Sequence, residues 1–282
     1  MKFHLPIQGD ATSRFQRLQS FIAQFDPNWF KHPEPATEEE IAQLKDTAGI
    51  SHHLCTCGLK TFPKEYLWFA ENFGKSGIDF SFNYHLSLSA VAHNHSINHH
   101  PYSPYFYIGN VWISPYLAYY YPDNNAEPCL VWVPSLDSNS PCYQAADSLE
   151  QLLFASAFLN YTYYEYEFKI KCSFPSYSIF VEYVKQKFGT PTEHNYEAIC
   201  TTLMKQVSSI LQSHQFECAW FSTYSDQFWF QDDLCFILSR NNDPDTISDF
   251  VVGYLGSHTK HGIEHIVSIM KCNGFSCTPI FT

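Results

Sequence analysis

Histidines, cysteines, carboxylates and tyrosines are the side chains here able to do chemistry, and their spacing limits what each group can do. His93 and His95 alternate, and His99 and His100 follow closely in a stretch closed by Pro101 and Pro104. Imidazoles at such spacing could hold zinc and support a metal-dependent hydrolase. No cysteine lies close by and the nearest acids are distant in sequence, so a polar loop in solvent is the competing reading. Cys55-Thr56-Cys57 follows His52 and His53, but a zinc knuckle needs a second pair of thiols. Cys272 and Cys277 could supply that pair only from the far end of the chain. His261 and His265 stand four apart, yet Gly262 and turn-like surroundings argue against a shared helical face, and no Glu follows His261 as in a zinc-protease motif. Asp232-Asp233 is explained by a hairpin turn between Gln231 and Leu234, because strand neighbours point to opposite faces. Nucleophile elbows, phosphate loops and dinucleotide fingerprints are absent, and the 11 glycines are scattered singly. Tyr116, Tyr119, Tyr120 and Tyr121 crowd one segment, with Asp123 and Glu127 just after it. Tyrosine beside acids suits protein docking, since tyrosine is enriched at interfaces; packing of all four rings inside the protein is the alternative.

The elements that must position these groups begin with an amphipathic helix over residues 13–25. Ser13 caps it, Gln16 closes the box, and Phe15, Leu18, Phe21, Ile22 and Phe25 form its stripe. Two short helices then occupy residues 35–74, joined by the Cys/His stretch. In the first, Thr37 and Glu40 make a capping box, Ala36 and Ile41 sit at staple positions, and Gly49 is a stop signal. In the second, Pro63 opens the helix, Leu67, Ala70 and Phe73 are the apolar stripe with Tyr66 and Phe69 flanking, and Gly74 ends it. Residues 78–90 alternate apolar and polar, which predicts a half-buried strand or hairpin. Strands are predicted over residues 105–113, 116–121 and 129–133, the last apolar on both faces and so interior, with a turn at 123–125. A helix capped by Asp147, with Glu150 three residues on, closes the first half near Asn160. Beyond it, strands are predicted at 165–172, 218–223, 227–231, 234–239 and 266–271, and helices at 177–188, 195–212 and 245–255. The fold class is α+β, with domains at 1–160 and 161–282.

Composition narrows the partners. Hydrophobic residues make up 45% of the 282, enough for a core, and aromatics reach 18%. A net charge of −12 argues against nucleic acid or an anionic membrane as the partner and suits a basic protein. No Lys or Arg occurs between Lys75 and Lys169, while Asp79, Asp123, Glu127, Asp137, Asp147, Glu150, Glu165 and Glu167 all fall there. Such a stretch reads either as an acidic docking face or as a chance feature of a low-charge sheet. No apolar leader or membrane span is evident, so the ten cysteines are expected to be cytoplasmic thiols, mostly buried.

The first 160 residues combine a Pro-Ala-Thr-Glu-Glu-Glu-Ile-Ala-Gln-Leu helix from Pro35 and Phe-Pro-Lys-Glu-Tyr-Leu-Trp-Phe from Phe62, ending in Asn-Phe-Gly. An antiparallel sheet carrying Tyr107-Ile108-Gly109 follows, and Asp-Ser-Leu-Glu-Gln-Leu-Leu from Asp147 begins the closing helix. Over about residues 30–160 this resembles the SUKH superfamily, which includes fungal cell-wall-synthesis regulators and many bacterial immunity proteins. The resemblance implies helices packed on a bent sheet and a non-enzymatic cytoplasmic protein that neutralises a polymorphic toxin, often a nuclease or deaminase. It brings no catalytic residue, cofactor or metal. The partner would be a basic toxin domain, held through Tyr116, Tyr119, Tyr120, Tyr121, Asp123 and Glu127. A regulatory or scaffold module of the same family is the alternative, and a His-dependent metal hydrolase a third reading. Residues 161–282 leave open a diverged second copy.

Overall fold

The computed structural model describes residues 14–28, 34–46, 50, 54–55, 57, 62–75, 84–97, 105–111, 116–121, 128–133, 142–161, 163–173, 182, 185–186, 193–240 and 251–280. The chain divides into two compact units, residues 3–161 and 162–282. Each unit is α+β around an antiparallel sheet.

The first unit contains α1 (Arg14–Ile22), α2 (Glu38–Asp46), α3 (Lys64–Phe73), α4 (Leu88–Ile97) and α5 (Leu149–Tyr161). Its strands are β1 (Tyr84–His85), β2 (Tyr105–Val111), β3 (Tyr116–Tyr120), β4 (Cys129–Val133) and β5 (Tyr143–Ala146), and they lie in sequence order. In α1, Leu18, Phe21 and Ile22 are buried at the spacing of one helical face. The capping box of α2 is present: the Glu40 N–H donates to Thr37 Oγ1 at 3.2 Å, and the Thr37 N–H donates to Glu40 Oε2 at 2.9 Å. The chain entering α2 is tied to the end of α3, because the Ala36 N–H donates to the Ala70 carbonyl at 2.9 Å and Glu34 bridges Gly74 in parallel.

Three local expectations are corrected here. The buried face of α3 is Tyr66, Phe69, Ala70 and Phe73, with Leu67 only partly buried. The core takes the aromatic ridge because rings bury more area than a leucine. Phe62, Tyr66, Phe69 and Phe73 follow one another with centroids 5.6–6.3 Å apart, and Phe62 meets Phe106 of β2 at 5.7 Å. Of the strand predicted over 78–90, residues 78–83 lie outside the described residues, Tyr84–His85 is strand, and Leu88 onward is helix. Ser87 decides this, since its hydroxyl accepts from the Ala90 N–H at 3.3 Å as an N-cap. The cap of α5 is Ser148, one residue after Asp147: its Oγ accepts from the Gln151 N–H at 3.1 Å, while Gln151 Oε1 accepts from the Asp147 N–H at 2.7 Å. Strand β4 matches its expected bounds and has a neighbour on each side. Strand β5 was hidden in a polar segment. The turn predicted at 123–125 lies outside the described residues.

The second unit contains β6 (Phe168–Ser173), α6 (Glu193–Ser213), β7 (Glu217–Cys218), β8 (Asp226–Gln231), β9 (Leu234–Arg240), β10 (Val251–Ser257), α7 (Lys260–Cys272) and β11 (Ser276–Pro279). The sheet order is β11-β6-β10-β9-β8-β7. Its core joins Ile199, Leu203, Val207 and Leu211 of α6 to Trp229, Phe236, Leu238 and Leu255 of the sheet and to Ile263, Ile266 and Met270 of α7. The stripe that residues 195–212 predict, Ile199, Leu203, Val207, Ile210 and Leu211, is the buried one, apart from Ile210 at its margin. Asp232 has φ +51° and turns the β8–β9 hairpin, as its position between Gln231 and Leu234 suggested.

Several expectations fail in this unit. Residues 251–255 are strand, not helix: Phe236 and Tyr166 lie over Gly253 and Gly256, where any Cβ would fall 2.3 and 2.6 Å from ring carbons. Residues 266–271 belong to α7, not to a strand, because Ile263, Ile266 and Met270 recur at helical spacing behind the Thr259 cap. The strand at 218–223 is reduced to Glu217–Cys218, and the strand expected from 165 starts at Phe168 after a 3-10 turn (Tyr163–Glu165). The helix predicted at 177–188 falls largely outside the described residues. Among the described residues no helix is long and apolar enough to cross a membrane.

Candidate functional site

Strand alternation divides the four predicted tyrosines into two pairs. Tyr116, Ala118 and Tyr120 share one face of β3, and Leu117 and Tyr119 take the other. The register places Tyr105 opposite Tyr120 and Tyr107 opposite Ala118 on β2, with Val133, Val131 and Cys129 opposite residues 116, 118 and 120 on β4. These side chains form one cluster. Tyr107, Ala118, Val131 and Val133 are its buried centre, and Tyr105, Tyr116, Tyr120, Cys129 and Cys142 are its partly exposed rim. The rings meet in sequence: Tyr105 and Tyr120 at 5.1 Å, Tyr107 and Tyr116 at 5.9 Å, Tyr105 and Tyr107 at 6.3 Å. The Tyr105 hydroxyl donates to Cys142 Sγ at 3.4 Å. Burial, and then Cys142, hold that hydroxyl's pKa above the ordinary tyrosine value. No described helix residue contributes to this cluster.

Tyr119 does not belong to any docking face. It is 3% exposed, and its hydroxyl donates to Glu65 Oε2 at 3.0 Å. The same oxygen accepts from the Leu149 N–H at 2.9 Å, so Glu65 of α3 joins β3 to the first residue of α5. A carboxylate at that helix start is also favoured by the helix dipole. Tyr121 is half-buried, and burial, then Cys57 and Glu65, raise its pKa. Tyr119 is the correction to the predicted set, for a physical reason: period two sends every second residue inward. Asp123 and Glu127 lie outside the described residues. Of the acids in the base-free stretch, Glu150 turns inward to pair with Arg17, and Asp147, Glu165 and Glu167 are exposed.

His93 and His95 are placed differently from the loop expected for them. His93 and His95 both lie on α4. His93 is exposed, whereas His95 is 1% exposed, with Nε2 2.9 Å from the Tyr107 carbonyl oxygen and its ring 4.7 Å from Phe106. Two residues apart on a helix, they diverge and do not form a joint ligand pair. His99, His100, His52 and His53 lie outside the described residues. His261 and His265 do share α7 and are both exposed. Among the described residues no three His, Cys, Asp or Glu side chains gather as a metal site.

One carboxyl in the second unit is electrostatically unusual. Asp226 faces Ser239 across β8 and β9, and Ser239 Oγ donates to it at 2.5 Å. Burial raises its pKa, and the Ser239 bond opposes that only in part. A raised carboxyl costs stability as pH climbs from the unfolded-state value through the folded one, and the cost persists above it. Asp226→Asn keeps an acceptor for Ser239 and removes the charge. At pH 7 it is expected to be more stable than the parent by about 1 kcal/mol, and equal to it below about pH 4. Urea midpoints of both proteins at the two pH values check this; a less stable variant at pH 7 would show that the charge has a favourable partner.

Searches against models of known protein families, curated proteins and solved structures find no match for this chain.

Proposed function

We propose that this protein is a non-enzymatic binding module, an immunity-type protein that holds and neutralises a basic toxin domain in the cytoplasm. The tyrosine-lined face of the first sheet is the observation that carries the reading. Tyrosine offers large, rigid contact area at little entropic cost, and here half-exposed Tyr105, Tyr116 and Tyr120 rim an apolar centre. The net charge of −12 and the absence of Lys and Arg between Lys75 and Lys169 favour a basic partner and fast, salt-sensitive association. The likeness of the Pro35, Phe62 and Asp147 segments to the SUKH superfamily agrees with that role.

The test is binding of the full chain to the toxin domain encoded beside it, at physiological salt. A Kd below about 1 μM is expected. Replacing Tyr116 and Tyr120 together by Ala should weaken binding at least tenfold, about 1.4 kcal/mol, by removing rim contacts. Tyr119→Phe should leave binding unchanged because that ring faces inward. Binding that survives the double replacement, or a gene neighbourhood without a toxin, overturns the reading.

A further inference from the structure

The second unit holds a pair of thiols that the proposed binding role does not use. Cys277 of β11 stands directly opposite Cys172 of β6 in an antiparallel register. Their sulfurs are 3.1 Å apart. Directly opposed residues of antiparallel strands have Cα separations of about 4.5–5.5 Å, inside the range a disulfide accepts. Closing the bond therefore needs a small side-chain adjustment and no movement of the strands. Both are free cysteines, Cys172 fully buried and Cys277 half-buried. The other cysteines at the surface, Cys55, Cys218 and Cys272, are not opposed to a second thiol in either sheet register.

We infer that Cys172 and Cys277 are a reversible oxidation site, a dithiol that closes to a disulfide and fastens the edge strand β11 to β6. Cys277 is the attacking sulfur. It is the more accessible of the two, and the bond from Cys172, with the Lys271 ammonium adding to it, lowers its pKa against the opposing effect of burial. The bond to Cys277 and burial push the Cys172 thiol the other way. With a peroxide as oxidant, the Cys277 thiolate attacks one oxygen, the O–O bond breaks, and hydroxide leaves as a sulfenic acid forms. The Cys172 sulfur then attacks Cys277 Sγ, the S–O bond breaks, and the departing hydroxide takes the Cys172 proton. Two thiols and one hydrogen peroxide become one disulfide and two waters. A thiol reductant reverses it.

The consequence follows from where β11 sits. Among the described strands it stands at the end of its sheet, paired with β6. The two cysteines are 105 residues apart, so the bond closes a long loop and restricts the unfolded chain strongly.

The test treats the full chain with a few-fold excess of hydrogen peroxide, followed by non-reducing peptide mapping. The expected product is a cross-linked peptide pair containing Cys172 and Cys277, lighter by two hydrogens. Its formation should raise the Tm by about 10 °C and slow amide exchange along β11, and dithiothreitol should undo both changes. Cys277→Ser, which alters only a half-buried position, should fold normally and show neither change. Cys277 trapped as a sulfenic acid without the cross-link would overturn the inference. So would oxidation confined to Cys55, Cys218 or Cys272.

Discussion

Glu65→Ala is expected to destabilise the first unit by about 2–4 kcal/mol. One carboxylate oxygen accepts both the Tyr119 hydroxyl at 3.0 Å and the Leu149 N–H at 2.9 Å. Hydrogen bonds to a charged group contribute about 1.5–3 kcal/mol each, not additively, and a buried donor deprived of its acceptor carries the desolvation cost. The helix dipole adds a few tenths to 1 kcal/mol. Glu65→Gln keeps an acceptor and should cost about 1 kcal/mol; Tyr119→Phe removes a donor without stranding one and should cost about the same. The order of urea midpoints is the check, with amide exchange in the full chain showing whether residues 149–153 open first. A Glu65→Ala shift below about 0.5 kcal/mol would mean that water replaces the carboxylate at no loss.

That junction marks the limit of what was legible in the sequence. Local signals were readable because their cause is local. The Thr37–Glu40 box, the α6 stripe, the Asp232 turn and strand β4 each follow from residues within one or two turns of each other. Alternation also divides Tyr116 and Tyr120 from Tyr119, once the strand is granted. The Glu65 bonds span 54 and 84 residues, and nothing near Glu65 marks it out from an ordinary first-turn acid. The failures have a common origin in short apolar windows that satisfy two periods at once. Leu86-Ser87-Leu88-Ser89-Ala90 alternates like a strand, but Ser87 is also a cap, and the cap prevails. In α7 the misleading residue was Gly262. A Cβ there would meet Leu234 Cδ2 and Thr259 Oγ1 at 3.0 Å, so close packing at the helix start, and not a turn, suits a glycine. The tyrosine face was half legible: its β3 members were foreseen, while Tyr105 and Tyr107 joined them only through the β2–β3 register.

The largest effect is expected at the ion pair between Arg17 of α1 and Glu150 of α5. Their side chains are 12% and 7% exposed, and every α5 residue from Leu149 to Phe158 is buried. In that setting both charges have exchanged most of their water for protein partners, each other among them. Removing one partner takes the ion pair from a charge that stays buried, a loss of about 3–5 kcal/mol. Glu150→Leu and Arg17→Met should each reach that range, and the loss should persist at high salt because buried charges are poorly screened. The double variant should recover most of it, since a buried pair and two well-packed apolar side chains of similar volume are often equally stable. Urea midpoints for the four proteins form a double-mutant cycle whose coupling energy isolates the pair. Losses that simply add would mean that the two charges act independently and that α1 is held to α5 by contacts such as Phe21 with Phe154, 5.7 Å apart, alone. A coupling energy of several kcal/mol would instead make this pair, 133 residues apart in the chain, a determinant of how α1 docks on α5.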